Sequence, residues 1–164
     1  MKSLVWKQQT LIWISILVGM LLEIVPLPHW TLWLRPAWVY MLIIFWVILV
    51  PQRVGVGTAF VVGLLMDLLT GTILGLHAFI YVLSAYVLMR FQPQLRNFPL
   101  WQQAIMIYLF LFFNVVLQTL VSRLISLQSV SLLFWLSPFI GAVFWIWMVL
   151  LLRDWQDRLV EHWL

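Results

Sequence analysis

The sequence predicts an all-α integral membrane protein, a compact bundle of six transmembrane helices. Three observations predict it. First, 65% of the 164 residues are hydrophobic and only 9% are charged, with mean hydropathy +1.08. A soluble domain is roughly half apolar and about a quarter charged, and a small globule exposes much of its surface whatever its composition. Second, the apolar residues fall into runs near the length that crosses a bilayer core, about 20 residues. Third, the basic residues gather on one side of those runs. This composition excludes a soluble enzyme and a disordered chain. Nine Lys and Arg against five Asp and Glu give a pI near 10, too few charges for a nucleic-acid footprint, so no nucleic-acid partner is expected. Cysteine is absent, which excludes disulfides, thiolate nucleophiles and Cys-ligated metals. The twelve Trp suit interfacial anchoring, where an apolar ring carries an N–H at headgroup depth.

The first span is expected at about 8–26, after Lys2 and Lys7. A basic start and an apolar stretch also describe a secretory signal, but Glu23-Ile24-Val25-Pro26-Leu27-Pro28 lacks the small residues of a cleavage site. Pro26, Pro28 and Pro36 bracket a loop holding His29, Trp30, Trp33 and Arg35. Span 2, about 36–50, is short and stops at Pro51-Gln52-Arg53, which predicts tilt or local thinning. From Val54 to Met89 the only formal charge is Asp67. As one helix this run would reach about 54 Å against a core of about 30 Å. It therefore divides near Thr70-Gly71-Thr72 through Gly75, giving span 3 at about 54–71 and span 4 at about 75–90. A polar loop from Arg90 to Pro99 precedes span 5, about 101–120. Span 6 covers about 132–152, bent by Pro138 and Gly141. Residues 153–164 form an amphipathic tail suited to the membrane surface.

Six spans place both termini on one side. Lys2, Lys7, Arg53, Arg90, Arg96, Arg153 and Arg158 share that side; Arg35 and Arg123 take the other. The positive-inside rule then puts the N and C termini in the cytoplasm.

A carboxylate in a spanning helix costs about 2.5–3.5 kcal/mol on insertion scales. Asp67 is the deepest charge, and Glu23, Arg35 and Arg123 lie toward the same outer side. These four are the candidate structural and coupling residues, with Asp67 expected to pair with Arg35 or Arg123. Such a pair can be a packing clamp, a relay of a partner's state, or a proton or substrate site. Ala59, Gly63, Asp67, Gly71 and Gly75 recur every four residues. Small residues at that spacing permit close helix approach, so they read as a packing seam. Asn114 and Gln118 share one face of span 5 and are expected to form interhelical hydrogen bonds. His77 reads as a lone interfacial histidine, and His29 and His162 show no ligand spacing. No metal site and no cofactor are expected. His-Glu-x-x-His and Gly-x-Ser-x-Gly are both absent, and one intramembrane aspartate cannot form an aspartyl dyad. No enzymatic activity is expected.

Leu34-Arg35-Pro36-Ala37-Trp38-Val39, Pro51-Gln52-Arg53-Val54-Gly55-Val56-Gly57-Thr58 and the run Gly63 to Gly75 resemble the rod shape-determining protein MreD family. So does Leu95-Arg96-Asn97-Phe98-Pro99-Leu100-Trp101-Gln102-Gln103-Ala104. The resemblance is strongest from 30 to 105 and weakest after 120. It implies a fold similar to the substrate-binding subunits of energy-coupling-factor transporters. It also implies a place in the bacterial inner membrane, in the machinery that inserts side-wall peptidoglycan. The implied direct partner is MreC. The wider assembly comprises MreB, RodA and its transpeptidase partner.

The expected function is non-enzymatic: to hold MreC and so help control peptidoglycan synthesis and maintain rod shape. Arg53, Arg90 and Arg96 are then available to cytoplasmic partners or membrane lipids. The alternative is a small-solute- or lipid-binding transport subunit. A transport subunit predicts a polar cavity of about 300 Å³ or more near Glu23, Asp67 and Arg123. A scaffold predicts closed packing there and an exposed apolar groove elsewhere.

Overall fold

The computed structural model describes residues 2–25, 35–126 and 135–161. Among these the chain forms six helices: α1 (Lys2–Ile24), α2 (Trp38–Leu49), α3 (Val56–Thr70), α4 (Leu76–Arg96), α5 (Leu100–Ser126) and α6 (Ser137–Glu161). The predicted loop residues His29, Trp30 and Trp33, the start of span 6 and His162 lie outside the described residues.

α2 is the centre of the molecule. Its sequence, Trp-Val-Tyr-Met-Leu-Ile-Ile-Phe-Trp-Val-Ile-Leu, has no polar face, and Val39 through Ile48 are all buried. A helix that is apolar all round finds its minimum when other helices surround it. α2 touches α1, α4, α5 and α6. Twelve residues span about 18 Å at 1.5 Å per residue, well short of a bilayer core. The neighbours shield it, so its ends need not reach the headgroups unaided.

α3 and α4 form the tightest pair. Gly63 makes this possible: a Cβ there would strike the backbone of Ala78 and His77. α4 runs past the expected end at 90 to Arg96, carrying Pro93 inside it. The polar residues expected in a loop instead extend the helix. The turn that follows is held by Gln103, whose Nε2 donates to Leu95 O and Phe98 O, each at 3.1 Å. α5 likewise continues beyond 120 to Ser126, so Arg123 sits in its last turn. α6 runs on through 153–161 as one helix; the predicted amphipathic face of that tail lies outside the described side chains.

Polar contacts between helices are few and specific. Trp46 Nε1 donates to Ser15 Oγ at 2.8 Å, joining α2 to α1, and Ser15 Oγ donates to Ile12 O. Tyr40 joins α2 to two neighbours through Ser84 Oγ (2.5 Å) and Phe110 O (3.3 Å). Gln92 Nε2 reaches Ile48 O at the end of α2, 2.9 Å away.

The outside of the bundle is oily. Leu17, Leu68, Phe79, Leu109, Phe139 and Trp147 are all exposed. Apolar surface on this scale marks a face that meets lipid or other protein. Among the described residues, Leu100–Val121 is long and apolar enough to cross a membrane, with mean hydropathy 2.2. Gln8–Ile24, Trp38–Leu49, Val56–Thr70 and Ser137–Leu152 are apolar but shorter.

Candidate functional site

The chemistry of the molecule is concentrated at one end, where α1 and α3 finish and α2, α4 and α6 begin. Helix ends there leave backbone N–H and C=O groups without partners, and in an apolar surrounding each must be satisfied from within.

Asp67 does this for the α3–α4 turn. Its main-chain oxygen accepts from Gly71 N and from Thr72 N (3.2 Å), closing α3 with Gly71 in the left-handed region at φ 65. Its carboxylate then opens α4. Oδ2 accepts from Gly75 N (2.7 Å) and Ala78 N (3.5 Å), and Oδ1 accepts from His77 N (2.9 Å). Thr72 Oγ1 donates to Oδ1 at 3.0 Å, and His77 Nδ1 lies 2.9 Å from the same oxygen. An anion at a helix N-terminus meets free N–H groups and the positive end of the helix dipole. That explains how a carboxylate 1% exposed sits among apolar helices.

His77 extends the network to α5. Its Nε2 lies 3.2 Å from Gln118 Nε2, and Gln118 Nε2 also donates to Asn114 Oδ1 at 2.8 Å. A tautomer with the proton on Nδ1 satisfies both nitrogens, donating to Asp67 and accepting from Gln118.

A second carboxylate repeats the device. Glu23, on the last turn of α1, accepts from Val39 N at 3.0 Å through Oε2 and so caps α2. Arg35 works in the opposite sense: Nη2 donates to Leu22 O at 2.7 Å near the end of α1, where a cation suits the negative end of the dipole. Ser137 Oγ, at the first residue of α6, donates to Arg35 O at 2.7 Å. The Arg35 Nε is buried and has no partner among the described residues.

These groups surround a cavity of about 490 Å³. Glu23, Arg35, His77, Asn114, Gln118 and Ser137 supply its polar wall, and Pro36, Ala37 and Val115 its apolar one. Two apolar grooves lie elsewhere. One, of about 370 Å³, runs between α4 and α5 along Leu83, Val87, Leu109 and Phe113. The other, of about 460 Å³, runs between α5 and α6, with Ala104 and Ala142 among the bulkier Tyr108, Phe139 and Ile146. The sequence treated a polar cavity and an apolar groove as alternatives, and the molecule has both.

Several expectations need correction. Asp67 pairs with His77 rather than with Arg35 or Arg123, because the turn delivers α4's own donors to the carboxylate. Glu23 and Arg35 face one cavity, while Asp67 stands behind its wall and Arg123 is exposed on α5. His77 is not alone: it is 7% exposed and bonds to Asp67 and Gln118. Of the small-residue stripe, Ala59 and Gly63 are buried on α3. Gly71 and Gly75 instead form the turn, with φ of 65 and 99. Asn114 and Gln118 share a face as expected, but only Gln118 bonds across to another helix. Arg53 and Arg90 lie toward the opposite end, Arg53 in the turn after α2 and Arg90 exposed on α4. The Arg96 side chain lies outside the described residues.

Thr72, His77 and Ser137 were absent from the predicted site. The signal for the first two was the spacing Asp67, Thr72, His77 across two glycines, which marks a side chain reaching over a turn to cap the next helix. Ser137 meets Arg35 across 102 residues, and no local signal reveals that. Among the described residues, no three His, Asp or Glu side chains gather as metal ligands would.

No solved structure matches the chain. The chain is 33% identical over 157 residues to the rod shape-determining protein MreD of Haemophilus influenzae, covering 92% of this chain and 95% of that relative. The family model for rod shape-determining protein MreD matches residues 6–155. With nearly its whole length matched by both, the chain belongs to the MreD family of rod shape-determining proteins.

Proposed function

We propose that this chain is a non-catalytic, six-span protein of the bacterial inner membrane, with both termini in the cytoplasm. It maintains rod shape by holding MreC and thereby helps control side-wall peptidoglycan synthesis by RodA and its transpeptidase partner, in the assembly organised by MreB. Family membership supports the shape-determining role. The oily exterior and the placement of seven basic residues against two support the membrane reading and its orientation. A six-helix bundle with a cavity at one end also suits the likeness to energy-coupling-factor substrate-binding subunits.

The α5–α6 groove carries the partner reading. Ala104 and Ala142 let another helix approach closely, and Tyr108, Phe139 and Ile146 give it a shaped wall. The predicted small-residue seam cannot serve here, because Gly63 is already closed against Ala78 within the chain. Ala142→Trp fills the groove without touching the buried core. It should abolish copurification of MreC and turn rods into spheres at unchanged expression. Normal rods with undiminished copurification would contradict the proposal. The solute- or lipid-binding alternative is favoured by one observation, the cavity of about 490 Å³.

A further inference from the structure

The cavity at the α1–α2 and α3–α4 junctions has a definite charge pattern. Asp67 does not line it, and its carboxylate is engaged by Thr72, Gly75 and His77. Among the described residues, the carboxylate and guanidinium that line the cavity are those of Glu23 and Arg35. Both are partly engaged. Arg35 gives Nη2 to Leu22 O and keeps a buried Nε with no partner among the described residues. Glu23 takes Val39 N on one carboxylate oxygen. The Nε has no accessible surface, so the rest of the guanidinium is what an acceptor in the cavity can reach. A complementary ligand carries an anionic oxygen for Arg35 and a cationic donor for Glu23, and is neutral overall.

The location narrows the class further. Glu23, Arg35, His77 and Ser137 all sit at or beside helix ends on one side of the bundle, the side nearer one headgroup layer. Pro36, Ala37 and Val115 give the cavity an apolar wall. Its volume of about 490 Å³ falls within the range of small-molecule sites, about 300–1,000 Å³.

We propose that this cavity binds the headgroup of a zwitterionic phospholipid, phosphatidylethanolamine, with its phosphate on the Arg35 guanidinium and its ammonium on Glu23. A net-anionic headgroup such as phosphatidylglycerol satisfies Arg35 but leaves Glu23 without a counter-charge. The site is separate from the α5–α6 groove and does not depend on MreC binding there.

The test uses the full chain in detergent, titrated with dihexanoyl-phosphatidylethanolamine and dihexanoyl-phosphatidylglycerol, with binding followed by calorimetry. The ethanolamine lipid should bind at least tenfold more tightly. Glu23→Gln keeps an acceptor for Val39 N and removes only the charge. It should erase that preference while the elution volume and near-ultraviolet circular dichroism stay those of the parent. Arg35→Lys, which keeps the charge but loses the planar guanidinium that can hold two phosphate oxygens at once, should weaken both lipids. Equal affinity for the two lipids, or an unchanged preference in Glu23→Gln, would overturn the proposal. Glycerophosphoethanolamine binding as tightly as the lipid would place the ligand in solution and overturn the bilayer source. In the complex with MreC, a photoactivatable phosphatidylethanolamine should label peptides containing Val115 and Ala37. No label at those peptides, with crosslinks to polypeptide from a photoreactive amino acid placed at Ala37 or Val115, would show a protein segment in the cavity and overturn the lipid assignment.

Discussion

Asp67 carries more of the local structure than any other side chain, and it does so as a cap. A charge-relay reading and a capping reading make different demands on His77. If the carboxylate serves the α4 N-terminus, most of its partners are backbone groups, and the imidazole is one contact among several. Asp67→Asn replaces one acceptor with an amide that faces Gly75 N or His77 N. Leaving a buried donor unsatisfied costs about 1–3 kcal/mol. Thermal unfolding in micelles should show that loss, and His77→Ala should show a smaller one. A larger loss for His77→Ala would make the imidazole the organising group. Glu23 tests the same logic at α2: Glu23→Ala removes the acceptor for Val39 N and should cost about 1 kcal/mol.

At the scale of elements, two predictions concern α4. Gly63→Val forces α3 from α4, because even a Cβ meets the backbone of Ala78. Overpacking of this kind costs about 1–3 kcal/mol, so the unfolding temperature should fall and proteolysis of the turn should quicken. Pro93 lies inside α4, in its last turn, and proline in a helix interior costs about 3 kcal/mol. Pro93→Ala should therefore raise the unfolding temperature; no change would mean that the helix end is already frayed. The helices themselves were legible from hydropathy, including the division of the 54–89 run at Gly71 and Gly75. Their ends were less so. Prolines and charges read as stop signals, yet α4 passes Arg90 and Pro93, and α5 passes Arg123. Packing against neighbours outweighed those local preferences. The site was half legible. Glu23, Arg35, Asp67 and Gln118 stood out as polar residues in an oily chain, but charge alone suggested an arginine for Asp67. The partner that prevailed was the nearest set of N–H groups, which only the turn geometry reveals.

The whole molecule is apolar both inside and out: α2 is buried in an apolar core while large apolar side chains also cover the exterior, and polar groups close helix ends within. Such a protein can act through what its surface and its polar cavity hold. The proposed orientation rests on the basic residues, and cysteines introduced into this cysteine-free chain test it. Arg90→Cys should react with an impermeant maleimide only from the cytoplasm, and Arg123→Cys only from outside; the reverse pattern would invert the topology. The most direct test of the partner-holding account is a single-cysteine crosslinking scan along α1, α5 and α6 in cells producing MreC. Crosslinks to MreC should appear at Ile105, Tyr108, Ala142 and Ile146, the walls of one groove, and not at Ile14, Leu17 or Leu21 on the exposed face of α1. Crosslinks confined to α1, or none from the α5–α6 groove, would contradict it.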